Sequence, residues 1–228
     1  MKITLCLLTH NELNGCKHDI PLIPFDSFDE IFAVDGNSND GTVEYLQNMG
    51  ITVFQQPRPS LSAACTYAFE KCTTDALIFF HPKGTVPVND TLKFLPMFEQ
   101  GFDLIIASRC IAGSRNEEDD KYIKPRKWFT KFMALIASIL FRSEGPLIWD
   151  VLHGFRAMKV EAFKLLNPSD HGVSIDLEMV CRSYKHKLKI TEFPTIEKPR
   201  ISGKTHFKAL PTGWALLKYI VHEILRYN

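Results

Sequence analysis

Apolar residues fall into short unbroken runs in the first half of the chain and into longer helical stripes in the second. Met1 to Thr9 (MKITLCLLT) and Asp29 to Val34 (DEIFAV) are β-rich runs halted by polar turn formers, as expected of strands buried on both faces. Ile51 to Phe54, Asp75 to Phe80 (DALIFF) and Asp103 to Ala107 (DLIIA) repeat the pattern. Between them, Asn11 to Ile20 reads as a helix or irregular turn ended by Pro21 and Pro24. A short helix after Thr42 is closed by Gly50, and Ser60 caps another that runs to Cys72. Strands alternating with helices at this spacing predict a mostly parallel sheet covered on both faces, with ligands beyond the carboxyl ends of its strands.

The second half reads differently. Trp128 to Phe141 (WFTKFMALIASILF) is strongly apolar and follows the basic stretch Lys124-Pro125-Arg126-Lys127. Asp176 to Lys187 predicts a helix, Leu188 to Phe193 an extended segment, Pro194 to His206 a polar basic loop, and Trp214 to Tyr227 an amphipathic helix. The chain shows no internal repeat.

At 228 residues with 45% hydrophobic content, one sizeable core and a single α/β domain are expected. The net charge of +1 gives no global field toward nucleic acid. Six scattered cysteines without a CxxC pair imply reduced thiols in a cytoplasmic protein. No apolar run reaches the ~18 to 20 residues of a membrane span.

Chemistry gathers at the strand ends. The first run leads into Thr9-His10-Asn11-Glu12, the second into Asp35-Gly36-Asn37-Ser38-Asn39-Asp40-Gly41-Thr42. A carboxylate directly after a buried strand suits ribose hydroxyls or a base N–H. The same residues are also common turn formers and helix caps, so that reading stays open. No HExxH, G-x-S-x-G or P-loop pattern occurs, and His10 and His153 are the histidines expected in the crevice.

Taken in order, LLTHNE, VDGNSNDGT, DLIIASR, DVLHGFRAM, SIDLEMVCRSY and PRISGKTHF resemble the family 2 glycosyltransferases, nearest to the dolichyl-phosphate mannose synthase and polyprenyl-phosphate branch. The resemblance implies an α/β fold of GT-A type, with a mostly parallel central sheet flanked by helices. Residues 1–210 would form the domain, with a nucleotide-binding half at 1–110 and an acceptor half at 111–210, and 211–228 a C-terminal amphipathic helix. It further implies an inverting transfer from a UDP- or GDP-sugar. Thr9, Asn11, Glu12, Asp35 and Asn37 would then hold the nucleotide, and Arg109 would face the donor diphosphate or an acceptor phosphate. Asp150, Gly154 and Arg156 would shape the sugar pocket. Asp176 and Glu178 stand where relatives keep an acidic pair, although two residues apart on a helix do not share a face. Arg115, Arg126, Arg200 and Lys204 could complete a phosphate clamp.

One departure matters. Where the family places an Asp-x-Asp that ligates Mg or Mn, this chain has His81-Pro82-Lys83-Gly84, with His81 the only candidate ligand. Either Lys83 replaces the metal and the enzyme works in chelator, or the chain keeps nucleotide-sugar binding and has lost catalysis. A phosphate acceptor needs no general base, whereas a saccharide or protein hydroxyl would need one, and Asp176 is the candidate. The apolar segment flanked by Lys124, Arg126, Lys127, Lys131 and Arg142 suits a polyprenyl-phosphate acceptor met through peripheral membrane contact, or else a core helix packed on the sheet. The sequence leaves the oligomeric state open.

Overall fold

The structure, a computed structural model, describes residues 1–169, 172–202 and 209–226. Seven strands form one sheet: β1 (Ile3–Thr9), β2 (Glu30–Asp35), β3 (Thr52–Gln55), β4 (Ala76–Phe80), β5 (Leu104–Ser108), β6 (Arg156–Lys159) and β7 (Ile190–Pro194). Their spatial order is β3-β2-β1-β4-β6-β5-β7. All pairings are parallel except those of β6, which runs antiparallel between β4 and β5. The sheet is thus the mostly parallel one the alternating pattern predicts.

Every residue of β1, β4 and β5 is buried, which explains their continuous apolar sequences. Side-chain alternation divides the core between the two faces of the sheet. Cys6, Leu8, Phe32 and Val34 face one cluster, and Leu5, Leu7 and Ala33 the other. Helices α1 (Leu13–Asp19), α2 (Thr42–Asn48), α3 (Leu61–Lys71), α4 (Phe94–Glu99), α5 (Pro125–Phe141), α6 (Val160–Leu166) and α7 (Ile175–Lys185) lie in the connections between strands, and α8 (Ala209–Leu225) follows the last strand. The Ser60 hydroxyl accepts from the Ala63 N–H at 2.9 Å and caps α3 as its sequence suggests.

Several elements differ from the sequence reading. β6, α6 and the 3-10 turn Val88–Lys93 leading into α4 carry no clean periodicity and were not foreseen. α5 starts three residues early, at Pro125, because proline at the first helical position loses no hydrogen bond. α8 begins at Ala209 rather than Trp214.

α5 is apolar on two sides. Met133, Ala134 and Ala137 are fully buried, while Trp128, Phe132, Leu135 and Ile139, spaced four, three and four apart, form an exposed stripe. Trp214, Val221 and Leu225 make a second exposed stripe on α8, which packs beside α5. Among the described residues, no helix is long and apolar enough to cross a membrane.

Candidate active site

The order of the sheet reverses at β1, with β2 on one side and β4 on the other. Such a switch point opens a crevice beyond the carboxyl ends of the strands. A cavity of about 290 Å3 lies there, lined by Thr9, His10, Glu12, Gly36, His81 and Lys83 among others.

Beside it, a knot of hydrogen bonds joins two strand ends. Asp35 is fully buried and accepts from the Thr9 hydroxyl (2.8 Å), the Ser38 hydroxyl (2.6 Å) and the Ser38 N–H (2.7 Å). Asn11 and Asn37 both adopt left-handed backbone, which asparagine tolerates better than most residues. The Asn11 N–H donates to Ser38, and its side-chain oxygen accepts from the Asn39 N–H. Asp40 ties the turn to α1 and α2 by accepting from the N–H of Leu13 and from Thr42. Burial pushes the Asp40 carboxyl up, but the hydrogen bonds from Thr42 and Leu13 outweigh it and hold the group below its usual range. The turn-former reading holds for this segment, whose hydrogen bonds join the ends of β1 and β2 beside the cavity. Ser38, Asp40 and Thr42 belong to this framework although the sequence singled out none of them.

The loop after β4 carries His81 and Lys83 into the cavity. Backbone contact fixes it from below: a Cβ on Gly15 of α1 would lie 2.2 Å from the Pro82 carbonyl oxygen. The buried Asp19 accepts from the Gly84 N–H at 2.8 Å. On the far side, a Cβ on Gly154 would meet His81 Nε2 at 2.6 Å, so that only glycine lets the two segments approach so closely. Burial, then the neighbouring Lys83, hold His81 well below the usual histidine range. Lys83 is lowered by burial, with the Glu12 carboxylate opposing.

Arg109 and Asp150 form a buried bidentate pair, Nε to Oδ2 at 2.8 Å and Nη2 to Oδ1 at 3.0 Å. The Arg109 N–H donates to Asp150 as well, and Nη1 reaches both Glu197 oxygens at 3.2 Å. Glu192 of β7 accepts from the N–H groups of Trp149 and Asp150 and so positions the carboxylate. Arg156 is fully buried; it donates to the carbonyls of His153 and Asp176 and pairs with the Asp176 carboxylate at 3.2 Å. Burial raises the Asp176 carboxyl above its usual value, against the pull of Arg156 and Arg109.

The predicted acidic pair separates. Asp176 faces Arg156, whereas Glu178 is fully buried and pairs with Arg182, whose second pair, with Glu223, joins α7 to α8. Helical geometry turns residues two apart to different faces, so Glu178 does not join the crevice. Arg200 reaches back from the segment after β7 and pairs with Glu12. Arg115 and Arg126 are exposed and pair with Asp120 and Glu117. Lys204 lies outside the described residues.

The donor set does not fit a divalent cation. Asp35 is engaged by Thr9 and Ser38, Asp150 by Arg109, Asp176 by Arg156 and Glu12 by Arg200. Among the described residues, no three His, Cys, Asp or Glu side chains converge to hold a metal. The β4 end offers a neutral imidazole and an ammonium, which cannot ligate while protonated.

His153 Nδ1 lies 2.5 Å from the Ala107 carbonyl oxygen, and burial, then Arg109, lower its pKa from 6.5 to about 3. The unfolded chain takes up that proton as pH falls below 6.5, and the folded chain does not until about 3. Stability is therefore fully present above 6.5 and declines toward 3, and His81 acts with the same sign. His153→Gln, which keeps a donor for Ala107, is expected to flatten the dependence of the urea midpoint on pH across this window. An unchanged slope would move the acid sensitivity to other groups.

A family model described as glycosyl transferase family 2 matches residues 13–166. Glycosyltransferase AglJ of Haloferax volcanii is 27% identical over 203 residues, covering 87% of this chain and 64% of that protein. A dolichol-phosphate mannosyltransferase of Pyrococcus furiosus is 24% identical over 244 residues, covering 96% and 64%. The chain thus spans somewhat less than two thirds of the length of these relatives. Among solved structures, it is similar to glucosyl-3-phosphoglycerate synthase of Mycobacterium tuberculosis in complex with Mn2+, UDP and phosphoglyceric acid. The TM-score is 0.74 at 16% identity, covering 99% of this chain and 78% of the other. Another structure of that synthase holds Mg2+ and UDP, with a TM-score of 0.73 at 15% identity, covering 99% and 78%. The likeness shows the fold, which is that of the GT-A glycosyltransferases.

Proposed function

The chain belongs to glycosyl transferase family 2, and we propose that it moves a sugar, with inversion, from a nucleoside-diphosphate donor to an acceptor at the crevice above β1, β2 and β4. The observation that carries this reading is the convergence of Thr9, Glu12, Gly36 and Lys83, from three strand ends, on one cavity, with the buried Asp35 hydrogen-bonded to the lining Thr9. In this reading Asp35 and Glu12 seat the nucleoside, and the acceptor oxygen attacks the anomeric carbon opposite the departing diphosphate. Cationic side chains take up the charge that develops on the diphosphate. The Arg109 contacts to Glu197 at 3.2 Å are longer than its Nε contact to Asp150, so an anionic acceptor would compete first with Glu197.

A polyprenyl phosphate fits the acceptor side best. The exposed stripes of α5 and α8 offer apolar surface at the level of a lipid headgroup, with Lys131 over the Trp149 ring and Lys218 over Trp214. The dolichol-phosphate mannosyltransferase relative supports the same class of acceptor. A hydroxyl acceptor is the second reading, favoured by one observation: burial raises the Asp176 carboxyl, as a general base requires.

UDP- and GDP-sugars assayed with polyprenyl phosphate and with soluble saccharides test the two readings, and Asp176→Asn separates them. With a phosphate acceptor, kcat is expected to fall less than about tenfold, whereas loss of a base for a hydroxyl acceptor lowers it about 100-fold or more. Nucleotide binding without turnover on any acceptor would point to a binding protein that has lost catalysis. The absence of calorimetric binding of any nucleotide would defeat the proposal.

A further inference from the structure

We infer that Lys83, with Arg200 beside it, stands where a divalent ion would neutralise the donor diphosphate, so that this chain holds its donor without a metal. The inference rests on the nucleotide-sugar reading above and adds to it the means by which charge is balanced.

Three observations lead there. The first is placement. Lys83 follows the central strand β4, lines the same cavity as Glu12 and Thr9, and has no ion-pair partner among the described carboxylates. A half-buried lysine without a partner is unfavourable in a folded protein unless a ligand supplies the opposite charge.

The second is rigidity. The loop that carries Lys83 is gripped on three sides: by the backbone contact with Gly15, by the Asp19 carboxylate on the Gly84 N–H, and by the segment after β7. That segment donates from the Lys198 N–H to the Thr85 carbonyl at 2.7 Å and lays Ile201 against Gly84, where a Cβ would meet the isoleucine at 2.0 Å. A loop backbone held this firmly presents its lysine to the cavity with little backbone reorganisation when charge develops on a neighbouring oxygen.

The third is the second cation. The same segment brings Arg200 to Glu12, which lines the cavity with Lys83. The ammonium and the guanidinium carry two positive charges, one of which the Glu12 carboxylate offsets until a diphosphate competes for Arg200. The carboxylates that could have held such an ion are engaged by Thr9, Ser38, Arg109, Arg156 and Arg200.

In the transfer step, the bond between the anomeric carbon and the β-phosphate oxygen breaks, its electron pair stays on that oxygen, and the acceptor oxygen forms the new bond to carbon. The extra negative charge is met by N–H donors from Lys83 and Arg200 and passes to no metal.

Calorimetry on the full chain tests this with UDP and GDP, each in EDTA and in Mn2+. One of the two nucleotides is expected to bind in EDTA, with Mn2+ changing its affinity less than about threefold. Lys83→Met is expected to weaken that nucleotide about 30-fold or more, as for loss of one partner from a buried charge pair. Its nucleoside, uridine or guanosine, followed by ligand-observed NMR, should bind the variant as it binds the parent, which also reports that the variant is folded. Arg200→Gln, in a segment outside the sheet, should act in the same direction as Lys83→Met. Binding that appears only with Mn2+, or a Lys83→Met variant that binds the nucleotide normally, overturns the inference and leaves the donor reading intact. If neither nucleotide binds in either buffer, the donor reading itself fails and takes the inference with it.

Discussion

Asp150→Ala is expected to destabilise the protein by about 3 to 5 kcal/mol, as when one partner is removed from a buried ion pair. Asp150 is fully buried and accepts from the Nε, Nη2 and backbone N–H of Arg109. Without it, the guanidinium keeps only Glu197 at 3.2 Å, and the turn after β5 loses its anchor. Against a typical total stability of about 5 to 15 kcal/mol, such a loss is severe. Urea denaturation measures it, and a shift below about 1 kcal/mol would show that water or Glu197 replaces the carboxylate without penalty. Burial alone would raise the Asp150 carboxyl, but Arg109 outweighs it and holds the group far below the usual carboxylate range. Its contribution is thus present at neutral pH and lost as acid titrates through the lowered value. Substituting Arg109→Met and Asp150→Leu together should recover much of the stability while removing any anion-binding role of the pair.

Gly15→Ala carries the second large effect, and its sign opposes helix propensity. Alanine in place of glycine inside a helix ordinarily gains about 1 kcal/mol. Here the new methyl would lie 2.2 Å from the Pro82 carbonyl oxygen and 2.8 Å from the Lys83 Cα, both backbone atoms that cannot rotate away. Overpacking of this kind costs about 1 to 3 kcal/mol. Relief requires moving the loop that carries Lys83, so the affinity for a nucleoside diphosphate should fall about tenfold or more even in the folded fraction. A variant with a raised melting temperature and unchanged nucleotide affinity would contradict the close approach of α1 to this loop.

The sequence made some of this legible for a clear physical reason. β1, β2, β4 and β5 are buried for most or all of their length, so composition alone marks them. β6 was hidden because it is four residues long and starts with the buried Arg156, a residue type that ordinarily marks surface. α4 and the turn before it were hidden by Pro87 and Pro96 and by the lack of a helical stripe. Strand-end polarity pointed to Thr9, Glu12 and Asp35, and helical period foretold that Asp176 and Glu178 would part. Pairings across long separations were not legible: Arg109 with Asp150 and Glu197, or Arg200 with Glu12, depend on the folded path of the chain. The sequence shows His81-Pro82-Lys83-Gly84 after β4, whereas the engagement of Asp35, Asp150, Asp176 and Glu12 by their partners depends on the fold.

The antiparallel strand between β4 and β5 bears on how the molecule assembles. β4 and β5 share no ladder, and each pairs with β6, whose first residue follows the last of β5 by almost fifty positions. While the chain emerges from the ribosome, β1 to β4 can align early, yet the flank of β4 stays an open edge until residues 156–159 arrive. Docking of β6 closes that edge and recruits β5 in a single event. A nascent chain arrested before residue 156 should therefore be prone to self-association, and one released beyond it should not.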